Sequence, residues 1–387
     1  MTFENLFESA VNDGTAPGIV VIAKDKDGKV DILKAFSPEN GTYTLDTVME
    51  LSSMSKFPTS IAALQLVERG FVTLDEDLSD LLPSFGSQGI LISVADDGTP
   101  TVRKRQNPIT LRHLITHSSG AGYNFLHEGL GKIRASQKEK SSPNVTVDES
   151  FNLPLLFEPG EGWAYGTGLD RVGQLVEKLS GMSLEEYMKK NIWEPLGADS
   201  STFFPDKHPS IRARRVPMAY RKDPSGPAVE KSEIPTVTTG LKVPFGGHGL
   251  FSSMPDCFKM MYSLLTDDEK LLKKETAALI FQPQLTPASK EELRKFMETP
   301  AMKSQFPSPP NDRDFGLGGL LVLGENHPYW RKGALMWGGA ASLNWFIDRA
   351  AGICGVIGAQ VLPSDPRMRK LIDTFQAEVY RRAGKLS

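Results

Sequence analysis

Short β-branched and apolar segments stand near both ends of this 387-residue sequence, with a long helix-like region between them. Near the start, Ile19 to Ala23 and Val30 to Phe36 flank the turn signal Asp27-Gly28, which predicts a β-hairpin. Near the end, four short apolar segments follow one another closely: Leu317 to Leu323, Gly333 to Trp337, Ser342 to Ile347 and Ile353 to Gln360. Because connections this short join only antiparallel strands, the pattern predicts one antiparallel sheet built from both ends of the sequence.

Helical periodicity fills most of the remaining chain. An acidic amphipathic segment at the start and a second segment from about Pro366 to Ala383 predict terminal helices that cover the sheet. Apolar residues at helical spacing predict further helices: Ser53 to Val67, Leu111 to Thr116, Leu169 to Leu179 and Leu184 to Trp193. We therefore predict an α+β fold, with an α/β domain of residues 1–69 and 181–387 that holds the antiparallel sheet. Residues 70–180 form a mainly helical subdomain, and the active site lies in the cleft between the two parts.

Composition excludes several classes of protein. The formal net charge of -3 leaves no basic surplus for nucleic acid or an anionic membrane surface. The first residues lack the charged and apolar regions of a secretory signal, and no apolar run approaches the roughly 18 to 20 residues that span a bilayer. The two cysteines, Cys257 and Cys354, are far apart and fit a reducing compartment. We expect a soluble cytoplasmic protein that binds neither nucleic acid nor membrane.

A charged segment, Lys132 to Lys140, interrupts the helical middle and contains few apolar residues. It is interpreted either as a substrate-facing lid or as a solvated loop, which is the commoner role of such a run. The sequon-like Asn144-Val145-Thr146 follows it, and we expect it to be unmodified in a protein without a secretory signal.

The first motif that carries chemistry is Ser53-Met54-Ser55-Lys56, a Ser-x-x-Lys match at the start of a predicted helix. Residues three apart share one face of a helix, so the Ser53 hydroxyl and the Lys56 ammonium would be neighbours. The N–H groups at a helix start can bind a developing oxyanion, and a lysine in a dry cleft can have a lowered pKa and move protons. Alone the motif is weak, because an N-capped helix with a surface lysine has the same pattern.

Two later segments hold further candidates. Pro159-Gly160 makes a tight turn that delivers Tyr165 just ahead of a helix, and a phenol pressed against an active-site lysine can act as a base and then as an acid. Trp337-Gly338-Gly339-Ala340 ends a predicted strand, where the glycines let a substrate lie against the strand edge and the Ala340 N–H can donate to an oxyanion. The simpler alternatives are a core tyrosine and a glycine-marked turn.

In this order and spacing, the three motifs resemble those of the superfamily of class C β-lactamases, DD-peptidases and family VIII esterases. Ile109 to Gly120 resembles the ITLRHLLTHTSG segment of that superfamily. Phe245 to Ser252 resembles the FGGQGVFS segment of the fungal acyltransferases that modify polyketides, to which the sequence is most similar within the superfamily. The resemblance runs from Pro17 to the last helix and implies the β-lactamase/transpeptidase-like fold.

The resemblance also implies the roles of single residues. Ser53 would be the nucleophile, Lys56 its activating partner and Tyr165 a proton shuttle, and the choice of Lys56 or Tyr165 as the primary base stays open. The backbone N–H groups of Ser53 and Ala340 would form the oxyanion hole.

Two departures from the pattern bear on the substrate. Penicillin-directed relatives usually carry Asn two residues after the tyrosine and Lys-Thr-Gly on the late strand, whereas this sequence has Thr167 and Trp337-Gly338-Gly339. The usual Asn and Lys bind the side-chain amide and the carboxylate of a β-lactam. Their replacement argues against antibiotics as the main substrate and favours esters or thioesters that lack this carboxylate.

Several further residues keep two interpretations. His248 is a candidate for substrate contact or for a hydrogen bond that braces its loop, and Tyr123 and Phe125 either line an acyl pocket or pack at the domain junction. Trp337, Gly338 and Gly339 are the other candidates for substrate binding. His113 and His117 have the i, i+4 spacing of helical metal ligands, but no acidic residue follows the first histidine, so a structural role is favoured. No metal and no cofactor are expected.

The resemblance thus implies an enzyme that works through an acyl-enzyme. The acyl donor would be an ester or a thioester on a carrier protein or coenzyme A, and the acceptor would be a hydroxyl of a small polyketide-like molecule. A carboxylesterase that uses water is the alternative of the same class. A β-lactamase and a non-catalytic binding relative are further alternatives, and the intact set of Ser53, Lys56 and Tyr165 argues against the binding relative.

Overall fold

The computed structural model describes residues 2–137, 146–232, 234, 236–300, 302, 312–325 and 327–386. Its strands are β1 (Ile19–Asp25), β2 (Asp31–Phe36), β3 (Val48–Glu50), β4 (Ile90–Val94), β5 (Pro100–Arg103), β6 (Ala219–Arg221), β7 (Ala228–Glu230), β8 (Phe251–Ser253), β9 (Arg313–Phe315), β10 (Leu320–Val322), β11 (Leu335–Gly339), β12 (Leu343–Asp348) and β13 (Ile353–Gly358).

The helices are α1 (Phe3–Asn12), α2 (Lys56–Glu68), α3 (Pro83–Gly86), α4 (Leu111–Ile115), α5 (Glu128–Gln137), α6 (Val147–Phe151), α7 (Gly168–Ser180), α8 (Leu184–Met188), α9 (Glu194–Leu196), α10 (Pro209–Arg212), α11 (Met254–Thr266), α12 (Lys274–Ile280), α13 (Pro287–Met297) and α14 (Pro366–Arg382). Short 3-10 turns cover Ser52–Ser55 and Pro205–Lys207, and a π-helical turn covers Lys189–Trp193.

The main sheet is antiparallel and joins strands from both ends of the sequence, as predicted. Within the described residues it has seven strands, in the order β2-β1-β13-β12-β11-β10-β9. The register sets Val20 of β1 opposite Gly358 of β13. Strands β1, β12 and β13 are buried along nearly their whole length, because helices pack on both faces of the sheet.

Gly355 and Gly358 of β13 reveal which helices lie on each face. A Cβ added to Gly355 would approach Phe375 of α14, whereas one added to Gly358 would approach Met254 of α11. Residues three apart in a strand point to opposite faces, so α14 and α11 cover opposite faces of the sheet. The terminal helices α1 and α14 pack together on one face, as predicted, and the prediction did not include α11 on the other.

Helix α2 connects the sheet to the helical part of the chain. On one side the ring of Phe57 stacks on Trp345 of β12 at a centroid distance of 4.3 Å, and on other sides α2 packs against α7 and α8. Every residue from Lys56 to Leu66 is buried. Lys56, which begins this helix, is therefore held in place by packing on several sides of α2.

Several predicted segments differ from the observed ones. Strands β10 and β11 begin later than predicted, because Gly318 and Gly333 have φ angles of +131° and +89° that belong to turns. The charged segment that begins at Lys132 is helical as far as Gln137, where the buried Leu130 and Ile133 of α5 pack against Leu153. The rest of that segment and the first two residues of the sequon, at 144 and 145, lie outside the described residues.

None of the helices in the described part of the chain combines the length and the apolar character that a bilayer-spanning helix requires.

Candidate active site

Ser53 lies in a strained connection between β3 and α2. The 3-10 turn that holds it begins at Ser52, whose φ of +48° is unfavourable for a residue with a Cβ. The N–H of Leu51 donates to the carbonyl of Leu250, and the N–H of Leu250 donates to Ser55 Oγ at 3.0 Å, so residues on both sides of Ser53 are braced. The predicted α-helix therefore starts three residues later, at Lys56, and Ser53 remains partly exposed.

The ammonium of Lys56 is enclosed and has three acceptors. Its side chain is buried, with 3% of the residue exposed. Nζ donates to Ser53 Oγ at 3.3 Å, to Tyr123 Oη at 3.0 Å and to the carbonyl oxygen of Gly247 at 2.7 Å. Because an ammonium group has three N–H donors, this arrangement uses them all and aims one at the serine hydroxyl.

The environment of Lys56 raises its pKa above the ordinary lysine value. Burial by itself lowers this pKa, but the electrostatic influence of Tyr123, Tyr165 and Asp170 raises it by more. The expectation of a lowered pKa, drawn from burial in a dry cleft, is therefore wrong. The Ser-x-x-Lys motif alone does not show which groups surround the lysine. In the resting protein at neutral pH, Lys56 is charged.

Tyr165 lies on the other side of Lys56. Nζ of Lys56 stands 4.8 Å from the centroid of the Tyr165 ring, and the Tyr165 hydroxyl accepts a hydrogen bond from Nε1 of Trp337 at 3.3 Å. The backbone that carries the tyrosine pairs with residues 121–123, and a Cβ at Gly166 would lie 1.8 Å from the carbonyl oxygen of Ala121. Glycine at position 166 therefore allows the close approach that brings Tyr165 into the site.

The same backbone pairing brings Tyr123 beside Tyr165, with the rings edge-on and their centroids 5.5 Å apart. Tyr123 is buried, and its hydroxyl contacts Lys56 rather than facing an open acyl pocket. Burial raises the pKa of Tyr123 well above the usual tyrosine value, so it is a neutral phenol at neutral pH. Phe125 stacks on Tyr123 at a centroid distance of 5.0 Å and is 73% exposed, so it lies at the surface beside the site.

The end of β11 lies against the segment that leads into Ser53. A Cβ at Gly339 would come within 2.4 Å of the carbonyl oxygen of Leu51, so glycine is required for this approach. Ala340 follows in the turn between β11 and β12 and is exposed. The structure thus brings Trp337, Gly338 and Gly339 to the same edge of the site as the serine.

Asp170 belongs to the same cluster, although the sequence did not single it out. It is a fully buried residue of α7, and its Oδ1 accepts a hydrogen bond from the N–H of Gly247 at 2.8 Å. His248 is half-buried, with Nδ1 3.6 Å from Asp170 Oδ1, and burial lowers the pKa of this histidine. A signal was available in the sequence: Asp170 stands between Leu169 and Val172 on the apolar stripe of a predicted helix, where a charge is unusual.

The two histidines that the sequence singled out by their i, i+4 spacing, His113 and His117, lie behind the tyrosine. His117 has a φ of +62°, its ring centroid lies 4.7 Å from that of Tyr165, and its Nδ1 accepts from the N–H of Gly166 at 3.4 Å. His113 packs against Gly160 in the turn before Tyr165. Burial lowers the pKa of both histidines. The residues that the structure describes contain no group of three or more side chains arranged to hold a metal ion.

Comparison with known proteins agrees with this arrangement. The family model described as beta-lactamase matches residues 3–377. A lovastatin esterase from Penicillium rubens is 38% identical over 98% of both chains. A monacolin J acid methylbutanoyltransferase from Aspergillus terreus is 35% identical over 97% of this chain and 94% of its own length.

Solved structures agree as well. Unliganded simvastatin synthase from Aspergillus terreus superposes with a TM-score of 0.89 at 34% identity, covering 98% of this chain and 97% of the other. The resemblance expected from the three motifs is confirmed, as is the β-lactamase/transpeptidase-like fold. The close relatives are acyltransferases and esterases, and this chain belongs to the beta-lactamase family of serine enzymes.

Proposed function

We propose that this protein is a serine acyltransferase that carries an acyl group on Ser53 and passes it to a hydroxyl of a small polyketide-like molecule. The donor is an ester or a thioester, carried by coenzyme A or a carrier protein. The observation that supports the proposal most is the bridge formed by Lys56, whose Nζ contacts Ser53 Oγ at 3.3 Å while the Tyr165 ring lies 4.8 Å away. A nucleophile and two proton-carrying groups within one cluster are what acyl transfer requires.

In the first half of the reaction, Ser53 Oγ attacks the carbonyl carbon of the donor. The serine proton passes to Tyr165, whose phenolate form is stabilised by the Lys56 ammonium and the Trp337 N–H. The N–H groups of Ser53 and Ala340 stabilise the oxyanion of the tetrahedral intermediate. The carbon–sulfur or carbon–oxygen bond of the donor then breaks, the leaving group takes the proton from Tyr165, and the acyl group stays on Ser53 as an ester.

In the second half, Tyr165 takes the proton of the acceptor hydroxyl as the acceptor oxygen attacks the acyl-enzyme. The bond from the acyl carbon to Ser53 Oγ breaks, and the serine recovers its proton from Tyr165. Water in place of the acceptor gives hydrolysis by the same steps. Transfer and hydrolysis therefore differ only in which oxygen reaches the acyl carbon.

The side chains near Tyr165 support a substrate without a carboxylate. Position 337 holds an indole, which donates one neutral hydrogen bond, where the penicillin-directed relatives place a cation. Thr167 is buried at the start of α7. An uncharged acyl chain fits this surface better than an anionic β-lactam.

Hydrolysis is the second candidate, and one observation favours it. The lovastatin esterase of Penicillium rubens covers this chain almost completely at 38% identity. Its name describes cleavage of an ester, whereas the methylbutanoyltransferase at 35% identity is named for transfer. Sequence identities of 38% and 35% are too similar to decide between hydrolysis and acyl transfer.

Intact-mass spectrometry after incubation with a short acyl thioester tests the proposal. Wild type, Ser53→Ala and the control Ser93→Ala are compared, the last being an exposed serine of β4. We expect the mass of one acyl group on wild type and Ser93→Ala and no adduct on Ser53→Ala. Adding a small alcohol should remove the acyl group faster than water does.

Each other result has a defined meaning. Loss of the acyl group at the same rate with and without alcohol supports the esterase instead. An adduct that persists in Ser53→Ala assigns the nucleophile to another residue. No adduct on wild type with thioesters, esters or β-lactams contradicts both candidate functions.

A further inference from the structure

Lys56 is a buried cation whose direct contacts are uncharged. Its three acceptors are a serine hydroxyl, a tyrosine hydroxyl and a peptide carbonyl. Dipoles of this kind replace the hydrogen bonds that an ammonium makes to water, but they do not neutralise its charge. A protonated lysine in this position therefore needs an anion close by.

The carboxylate of Asp170 is placed to be that anion. Its side chain is completely buried, and Oδ1 accepts from the N–H of Gly247 at 2.8 Å. The carbonyl of the same Gly247 accepts from Lys56 Nζ at 2.7 Å. One backbone residue thus contacts both charged groups. A Cβ at position 247 would lie 2.5 Å from Asp170 Oδ2, so only glycine fits between them.

The two histidines and Tyr123 around the pair do not supply this charge. Burial keeps the pKa of His117 and of His248 below the ordinary histidine value, so both rings are neutral, and the raised pKa of Tyr123 keeps its phenol neutral. The charged and titratable groups that face Lys56 or Asp170 are Tyr123, Tyr165, His117, His248 and Arg171.

Arg171 follows Asp170 on α7, but it is engaged elsewhere. Its guanidinium forms an ion pair with Asp148 and donates to the carbonyl of Phe151 at 2.9 Å. Oδ2 of Asp170 has no hydrogen-bond partner within the described part of the chain, so no cation in direct contact compensates this carboxylate.

We propose that Asp170 is a positioning residue whose carboxylate is the counter-charge of Lys56, acting across Gly247, and that it sets the pH at which Ser53 becomes reactive. This inference rests on the proposed function in one respect, namely that Lys56 and Tyr165 take part in proton transfer to and from Ser53. With the counter-charge present, the lysine keeps its proton. The proton of Ser53 then passes to Tyr165.

The consequence for pH dependence has a definite sign. Acylation requires that the Lys56 and Tyr165 pair first lose one proton, so that Tyr165 can accept the proton of Ser53. A nearby negative charge makes this loss harder and moves the ascending limb of the acylation profile to higher pH. Neutralising position 170 should therefore move that limb to lower pH.

The variant Asp170→Asn tests this directly, because its amide oxygen can still accept from the Gly247 N–H while the charge is gone. With p-nitrophenyl butyrate as the probe, we expect the ascending limb of kcat/KM to move down by about one pH unit or more. The matched control is Asp256→Asn, a buried aspartate of α11 that accepts the backbone N–H groups of Asp199 and Ser200. The limb should not move in the control. A folded Asp170→Asn with the wild-type limb would overturn the proposal.

A thermal-unfolding cycle tests the same pairing without any activity. Wild type, Lys56→Met, Asp170→Asn and the double variant are compared at neutral pH. Lys56→Met leaves the carboxylate buried without its cation, so the double variant should unfold at a higher temperature than Lys56→Met. If Asp170→Asn alone does not fold, the double variant should still fold. If the two single changes lower the unfolding temperature additively, or if the double variant also fails to fold, Asp170 is not the counter-charge of Lys56. This outcome does not depend on whether Ser53 is the nucleophile.

Discussion

The indole Nε1 of Trp337 and the hydroxyl of Tyr165 are joined by a hydrogen bond of 3.3 Å, which links the late strand β11 to the loop before α7. The Tyr165 ring also packs against His117, and the Trp337 ring packs against Phe315, so aromatic rings surround the pair. A neutral donor at this position stabilises negative charge on the phenol oxygen without creating a binding site for an anionic substrate. In the proposed mechanism, these two residues therefore connect proton transfer with substrate selection.

Trp337→Phe should lower kcat/KM for acylation about tenfold, because it removes one hydrogen bond to Tyr165 that contributes roughly 1 to 1.5 kcal/mol. Ester cleavage measured from pH 5 to 10 checks this. Trp345→Phe is the matched control, since that indole stacks on Phe57 and its Nε1 has no hydrogen-bond partner among the described residues. The control should lose stability but keep the wild-type pH profile. Equal losses of activity in both variants would count against a specific role of Trp337.

The two tyrosines beside Lys56 should respond very differently to loss of the hydroxyl. Tyr165→Phe removes the proposed proton carrier and should slow acylation by roughly 10² to 10⁴-fold. Tyr123→Phe removes only a hydrogen bond from the Lys56 ammonium, at 3.0 Å, and should cost about tenfold. Burst kinetics with a chromogenic ester measure both. The reverse order would make Tyr123 the proton carrier.

Glu50 should make the protein less stable as the pH rises. This residue of β3 is buried, its Oε2 accepts from Thr236 at 2.6 Å and from Thr238 at 2.8 Å, and burial raises its pKa. A raised folded-state pKa means that the unfolded chain ionises first, so stability falls between the ordinary glutamate pKa and the folded value. Glu50→Gln should therefore gain melting temperature relative to wild type, and the gain should be larger at pH 8 than at pH 4.

Calorimetry at several pH values checks the effect of Glu50. Glu8→Gln, an exposed residue of α1, is the control and should show the same small difference at every pH. A gain for Glu50→Gln that does not change with pH would show that the carboxylate is not penalised by burial.

His117 should make the protein sensitive to acid. Its folded-state pKa is lowered well below the ordinary value by burial and by Lys56, so the unfolded chain binds a proton that the folded chain excludes. Stability is then lost as the pH falls through about 6.5. His117→Asn, chosen because asparagine tolerates a φ of +62°, should lose less melting temperature between pH 7.5 and 5.5 than wild type. The exposed His127→Asn should lose as much as wild type.

The side chain of Phe125 should contribute to the binding of large substrates only. Its ring is 73% exposed and stacks on Tyr123, so a bulky acyl acceptor can lie on it while a small ester need not. Phe125→Ala should raise the KM for a bulky acceptor roughly three- to tenfold and leave acylation by a small ester unchanged. Phe71→Ala, which truncates another exposed phenylalanine just after α2, is the control. An unchanged KM in Phe125→Ala would remove this residue from the substrate-binding surface.

The sequence predicted most of the main sheet, because β1, β12 and β13 are buried along nearly their whole length and are therefore largely apolar. The edge strand β9, Arg313–Phe315, was not predicted, since it is three residues long and contains two charged residues. Strand β3, which leads into Ser53, and its partner β8 were not predicted. Val48–Glu50 and Phe251–Ser253 are each three residues long and mix polar with apolar residues. Periodicity needs more residues than this to be visible. The two short segments are strands because each pairs with the other, and Val48 and Phe251 also form single bridges to Arg215 and Thr202.

The catalytic candidates show the same limit. Ser53, Lys56 and Tyr165 were found through motif spacing and resemblance, and the structure brings them together. The contacts of Tyr123 and Asp170 with the Lys56 cluster were not predicted, because the pairing of residues 121–123 with 165–167 and the turn at Gly247 are long-range features. The predicted direction of the pKa shift of Lys56 was wrong for the same reason: its burial could be inferred from the sequence, but its proximity to Tyr123 and Asp170 could not.

The pairing of Val20 with Gly358 has a consequence for synthesis on the ribosome. Strand β1 precedes its partner β13 by more than three hundred residues, so the central ladder of the sheet cannot close until β13 has been translated. Until then the segment around Ser53 has no β11 to rest against. The nascent chain therefore has exposed apolar strands, and the site around Ser53 is complete only after β11 to β13 have been translated and have joined the sheet.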